Sequence, residues 1–487
     1  MSHTRMLESD VAAPPPDRVV VEPQLARWRL MRRSETCDAD RAELIRRINR
    51  RADRLGLAKL RCDRPIVATG HQAGLWHPGI LAKDLAMVTA CERLDAQPLH
   101  LLVDQDAHAS GAVLLPAIDR EHGGVTATTL KLWEDHEAAR DVPTGAIPPR
   151  SAEVCQQAAA KLETAGLPTA ADAWREVASL DCASLAEQWL VVTMRVLEPA
   201  CGAVPMMLAS DLEGWRPYEQ LLESLRLDAP QAVRCYNQAV LSDAGRQAGL
   251  TLLAATREMV ELPLWAVRQG EPRQRVWADI ADSEPLFVFE DGAPIDRAAW
   301  RLLPRALMLT AAMRGAACEL FIHGLGGGVY DQAMQQWIAT WLGGRWPLAP
   351  LAMVTADVRL RRDDIPTATP AELTRAIWYA HHLRHNVDRY APLDDPTSQA
   401  LAQEKSQLLA HMDDDRDRRR RRTAFDRLHE INQALVARCR PQVDAADDAV
   451  RQAQRGVANA ATLRRRDWSF LAYPPLQIAG LHLAIQT

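Results

Sequence analysis

The stretch from Ile66 to Val103 restricts the fold of this chain more than any other part of it. A short apolar run, Ile66-Val67-Ala68, leads into Thr69-Gly70-His71-Gln72-Ala73-Gly74 and then into the helix-like segment ILAKDLAMVTACERL. A second apolar run, Leu99 to Val103, follows about thirty residues after the first. Strand, glycine-containing turn, helix and strand in that order form the signature of a βαβ unit and hence of a parallel sheet. Apolar segments at 203–208 and 317–322, each running into polar or glycine residues, supply further strands. The expected core is therefore an α/β, doubly wound parallel sheet.

The rest of the chain is read around that core. Residues 1–25 read as a flexible lead, because Pro14-Pro15-Pro16 cannot continue a helix. Helical spacing recurs at 34–57, 151–196 and 212–248, and the alternating pattern at 250–291 suits a small β insertion. After about residue 370 strand signals fade and Arg, Asp, Gln, Ala and Leu dominate. The run DDDRDRRRRR at 413–422 reads as a solvated helix face in a long antiparallel pair or coiled coil. Acids immediately before the arginines weigh against a nucleic-acid patch. The expected division is a lead at 1–25, a core with inserted connecting segments at 26–370, a helical arm at 371–465, and an apolar segment at 466–487 that docks back on the core.

Composition narrows the class. The 487 residues carry a formal net charge of −5, which argues against a chain built to coat nucleic acid. No run of 18 apolar residues occurs, and the first 30 residues lack the apolar stretch of a secretory signal. Nine scattered cysteines without a C-x-x-C pair fit reduced thiols, so the expected compartment is the cytoplasm, with no membrane partner. Only five of the 58 basic residues are lysines (59, 83, 131, 161 and 405), which makes each lysine more informative than an arginine.

Three strand-end loops carry the candidate chemistry. Thr69, Gly70, His71, Gln72, Gly74, His77 and Gly79 follow the first strand, where ligands of open parallel sheets bind. Their glycines let the backbone approach an anion, and His71 and His77 can stabilise charge on a leaving group. The dinucleotide and P-loop glycine fingerprints are both absent. His77-Pro78-Gly79-Ile80 has a faint likeness to the His-x-Gly-His of nucleotidylyltransferases, without the second His. Asp104, Asp106 and His108 follow the next strand at alternate positions, suited to general acid–base work or to holding Mg²⁺. Gly324, Gly326, Gly327 and Tyr330 lie in a third loop, Phe321 to Asp331, rich in backbone N–H groups. Ser210-Asp211 is a weaker fourth candidate. His381, His382 and His385 share a helix face but lack a further ligand nearby, so no metal site is assigned.

Taken together these segments resemble the bacillithiol biosynthesis cysteine-adding enzymes (BshC). TGHQAGLWHPG at 69–79 is similar to the family's G-Q-Q-A-G-L-x-T-G-P motif, and DQDAH at 104–108 stands where the family has E-D-H-D. MLASD at 207–211 resembles its S-G-D segment, and AVLSDAGRQAGL at 239–250 also fits. LLPRALMLTAAM at 302–313, with Arg305, leads into HGLGGGVYD, which resembles the family's G-G-P-G-E-x-x-Y-W loop with Tyr330 kept. Tyr473-Pro474-Pro475-Leu476-Gln477 corresponds to the family's final L-x-P-Q segment. The resemblance implies a Rossmann-like core, a C-terminal helical coiled-coil arm that makes a homodimer, and addition of cysteine to glucosaminyl malate. It points to a carbon–nitrogen ligase acting on a small-molecule substrate with ATP or ADP as nucleotide, its metal requirement left open. A nucleotidyl- or adenylate-transferring enzyme is the alternative, and a nucleotide- or sugar-binding scaffold without chemistry is a third reading.

Overall fold

The computed structural model describes residues 16–32, 35–108, 110–134, 141–281, 285–414 and 417–487. The chain divides into two compact units. The first comprises residues up to Leu115, Thr129–Arg359 and Arg466–Thr487, and the second comprises Pro116–Thr128 and Leu360–Arg465.

The first unit is a mixed α/β structure. It opens with β1 (Arg18–Glu22) and α1 (Glu35–Leu55), then β2 (Ile66–Gln72), α2 (Pro78–Leu94) and β3 (Gln97–Val103). After a hairpin of β4 (Ala112–Asp119) and β5 (Gly124–Lys131), whose tip belongs to the second unit, come α3 (Ala152–Thr164), α4 (Pro168–Val177) and α5 (Leu185–Cys201). The chain continues with β6 (Met206–Leu208), α6 (Arg216–Leu227), α7 (Ala229–Val240), α8 (Asp243–Gln247), β7 (Met259–Val267), β8 (Gln274–Asp279), β9 (Leu286–Val288) and β10 (Arg301–Pro304). It closes through α9 (Ala306–Ala312), β11 (Leu320–His323), α10 (Leu325–Trp341) and β12 (Leu351–Asp357).

Six strands form the main sheet in the order β1-β12-β11-β2-β3-β6. All neighbours are parallel except β1, which runs antiparallel along β12 from Arg18↔Asp357 to Glu22↔Met353. From β2 the chain builds outward through β3 to β6, then resumes on the other side with β11 and β12. The order therefore reverses between β2 and β11, and the loops leaving these two neighbours diverge around a crevice.

The βαβ unit expected from 66–103 is β2-α2-β3. Four buried residues, Ile66–Thr69, make β2 a fully covered strand, and α2 is buried on nearly every side. Pro78 presets the first helical φ, the His77 ring accepts from Gly79 N at 3.1 Å, and the helix ends on Asp95 in the left-handed region. The alternating segment at 250–291 gives β7, β8 and β9, which with β10 form a four-stranded antiparallel sheet ordered β10-β7-β8-β9. The expected flexible lead is corrected over its described part: Val19-Val20-Val21 forms β1, because a β-branched triplet covers the open edge of β12.

The second unit holds α11 (Pro370–His385), α12 (Val387–Tyr390), α13 (Pro396–Asp414), α14 (Arg418–Arg438) and α15 (Arg440–Leu463). Helix α11 packs on α15, and α13 packs on α14. Two small apolar clusters hold them, one around Leu383 and Val443 and the other around Val387, Ile431 and Leu435. Thr369 and Glu372 close a reciprocal cap at the start of α11. Asn459 fixes the β4–β5 tip within this unit, accepting from Val125 N at 3.0 Å and donating to Gly123 O at 2.8 Å. Past Arg465 the chain returns to the first unit, where α16 (Pro475–Gln486) packs on α2. Among the described residues no helix is long and apolar enough to cross a membrane, and the eight described cysteines are free thiols.

Candidate functional site

A cavity of about 450 Å³ opens at the carboxyl ends of β2, β3 and β11, where the strand order reverses. The three candidate loops meet there, the second only through Gln105 and Asp106. From the first come Gly70, His71, Gln72, His77 and Gly79, and from the third Gly324, Gly326, Gly327 and Tyr330. The cavity has the size of a small-molecule site.

Two features of the walls favour an anion. Helix α10 starts at Gly324 with no side-chain cap, so N–H groups of its first turn stand without a side-chain acceptor beside the cavity. The second feature is the set of lining side chains: Lys83, Arg466 and the imidazoles of His71, His77 and His323 face one carboxylate, Asp106. That carboxylate is already engaged, accepting from Gln72 Nε2 at 3.0 Å and from Arg273 at 2.8 Å.

The imidazoles are neutral donors and acceptors rather than cations. Burial pushes His71 well below the usual imidazole range, and the nearby Lys83 charge adds to it. His77 is lowered by burial and by Arg466. Because His77 Nδ1 accepts the Gly79 N–H, its proton sits on Nε2, which makes that atom a hydrogen-bond donor. His71 leans edge-on against Trp76 at 5.5 Å, and Trp76 stacks on buried His100 at 5.2 Å. His100 Nδ1 in turn meets Asp84 at 2.6 Å, so a packed column runs from the sheet interior to the cavity wall.

Lys83 stands on α2 and is 4% exposed. Its Nζ donates to Gly70 O at 2.6 Å, and burial lowers its pKa to about 8. Desolvation makes a charged ammonium costly here, and an anionic ligand would offset that cost.

The remaining sequence candidates lie away from the cavity lining. Thr69 is buried and donates to Ile322 O at 2.9 Å, tying β2 to β11. Gly74 holds a positive φ of 151° in the turn before α2. Asp104 is 1% exposed and accepts from Ser210 N at 2.9 Å, while burial raises its pKa. Asp211 accepts from the two terminal Arg51 guanidinium nitrogens, Nη1 and Nη2, at 2.5 Å and caps Leu208 N, so it ties α1 to the end of β6. Arg305 bonds Glu261 at 2.8 Å and lies over the Trp265 ring at 4.0 Å. His108 is exposed and outside the lining. These six side chains, Ser210 included, hold elements together or face solvent rather than the cavity. On α11, the His382 ring bonds Trp378 O and stacks on the Trp378 ring, and no metal-ready group of three ligand residues exists among the described residues.

Sequence reading missed Lys83, His323 and Arg466. A rare lysine in the apolar helix ILAKDLAMV was a usable signal, and His323 closes a strand. Arg466 carries no local signal.

No protein family matches the chain, and no curated protein matches it. Among solved structures it has a likeness to a Campylobacter jejuni chain named "putative arginyl t-RNA synthetase", at 11% identity and a TM-score of 0.27, over 92% of this chain and 98% of that one. At that score the likeness carries no argument.

Proposed function

We propose that this chain is a carbon–nitrogen ligase that joins cysteine to a carboxylate-bearing sugar conjugate of the glucosaminyl malate kind, in the manner of the bacillithiol cysteine-adding enzymes. The supporting observation is the convergence of the two glycine loops on one cavity lined by Lys83 and three imidazoles. Making an amide from a carboxylate at neutral pH requires stabilising charge on the departing oxygen and holding the amine unprotonated. His77 Nε2–H, the first turn of α10 and Lys83 are suited to the first task. ATP or ADP supplies the activating phosphate when bound, and the uncapped α10 terminus fits such a group. The Rossmann-like reading of the sheet, a cytoplasmic location and a homodimer through a coiled-coil arm of α11–α15 belong to the same proposal. The half-exposed Ile377, Trp378 and Tyr379 on α11 offer a surface for that dimer.

The test incubates purified protein with cysteine, the sugar conjugate and ATP, and follows products by mass spectrometry. The expected product has the summed mass of the two substrates less one water. No such product, with ATP or ADP present and the fold intact, overturns the reading.

One observation favours a second reading, nucleotidyl transfer. His77 caps α2 with its Nε2–H left to donate, as suits a histidine that binds a phosphate in flight. Release of pyrophosphate without a condensed thiol would select it.

A further inference from the structure

We infer that His323 is the proton acceptor for the incoming amine, with Asp331 as the residue that positions it; this rests on the ligation reading. His323 ends β11, lines the cavity and is 7% exposed. Its Nε2 faces inward, 3.6 Å from Asp331 Oδ1. Both atoms are fully buried and neither has a hydrogen-bond partner. The other Asp331 oxygen is occupied, accepting from Gln335 Nε2 at 2.9 Å and from buried Arg314. Arg314 is itself anchored on Ala349 O at 2.8 Å, so the carboxylate is held in place and turns one oxygen toward the histidine.

That geometry fixes the tautomer. A lone pair on Nε2 would face a carboxylate lone pair, whereas an Nε2–H is attracted to it, so the proton belongs on Nε2 and the lone pair on Nδ1. Nδ1 lies against Gly327 of the cavity loop, where an added Cβ would come within 2.4 Å of it. Glycine at 327 therefore leaves the basic nitrogen uncovered. Three charges face the ring: Asp331 favours its protonated form, while Lys83 and Arg314 oppose it. Burial outweighs them all and keeps the ring neutral, ready to accept. Phe321 and Tyr330 hold the ring edge-on at 4.7 and 5.3 Å.

In the step this assigns, the substrate ammonium gives a proton to Nδ1, and the imidazolium is balanced by Asp331 through Nε2–H. The freed amine pair attacks the phosphate-activated carboxyl carbon. A C–N bond forms and the C–O bond to phosphate breaks. Phosphate leaves with the electron pair and takes the proton on Nδ1, and the second proton, which the nitrogen loses on becoming an amide, is taken up by the freed Nδ1 and released to water.

The experiment combines two readouts on the full chain. Long-range ¹H–¹⁵N spectra of ¹⁵N-histidine protein, assigned by difference against His323→Gln, are expected to show the Nε2–H tautomer at neutral pH. In the mass-spectrometric ligation assay, His323→Gln, which keeps a donor toward Asp331, is expected to lower kcat about 100-fold with KM for the sugar conjugate within about twofold. Asp331→Asn is expected to move the acid limb of the kcat/KM profile to lower pH, which a purely structural role would not do. An Nδ1–H tautomer, or His323→Gln with kcat within about threefold of wild type, overturns this inference while leaving ligation standing. No product from the wild-type protein overturns the ligation reading, and with it the amine as source of the proton.

Discussion

At the residue scale, Lys83 sets stability against binding. Its pKa falls from 10.5 to about 8, so at pH 7 the ammonium is charged in both folded and unfolded states and its burial cost is fully present. That shift corresponds to about 3 kcal/mol as an upper bound. Lys83→Met should therefore stabilise the fold at pH 7, by on the order of 1–3 kcal/mol, while weakening binding of inorganic phosphate. Thermal melts and phosphate titrations of the same variant check both halves, and a lower melting temperature would contradict the first. The gain should shrink as pH rises above about 8, where the native lysine discharges. His71→Ala with His77→Ala should weaken phosphate binding more than about tenfold, each lost charged-ligand hydrogen bond being worth about 1.5–3 kcal/mol. Residues such as His71 and His77 were legible because glycine turns after a strand announce a ligand-facing backbone. Asp211 and Arg305 look equally chemical in sequence, yet each is consumed by a partner far along the chain, 160 positions away for Arg51 and 44 for Glu261. No local pattern encodes such a pairing.

At the element scale, Gly70 lets β2 and β3 pair at the point where the cavity begins. A Cβ there would meet Leu101 O at 2.4 Å, and that atom is backbone within the sheet. Gly70→Ala should therefore part the two strands locally, cost about 1–3 kcal/mol, and disturb the carbonyl that Lys83 holds. A drop in urea midpoint together with lost phosphate binding is the expected result. An unchanged midpoint would show that the strands can yield. Elements with one strong period were readable: α1, the β2-α2-β3 unit and the alternating 250–291 strands. Edge elements were not. The β1 strand is five residues beside a proline triplet, and its pairing partner lies more than 300 positions later. The β4–β5 hairpin alternates weakly, since most of β5 is exposed.

At the scale of the whole molecule, buried histidines set the acid limit of stability. His71, His77, His323 and His482 all have folded-state pKa values lowered by burial from 6.5. Below pH 6.5 the unfolded chain takes up protons at these sites before the folded one does, so stability falls as pH drops through that window. Asp104, raised by burial, acts in the opposite sense near its own titration. The urea midpoint at pH 5.5 should lie clearly below that at pH 7.5. An equal or higher value would mean that the rings protonate without penalty.

The path of the chain through the two units has a consequence for synthesis. Residues 360–465 are made before Arg466–Thr487, yet the later segment belongs to the first unit. There Phe470 N donates to Trp76 O at 2.6 Å, Ser469 N to Leu114 O at 3.1 Å, and Arg466 supplies part of the cavity wall. A nascent chain that has already emerged through β12 therefore carries the sheet, the glycine loops and His323, but a pocket with one side missing. It must wait on the ribosome, through more than a hundred further residues, before its binding site can close.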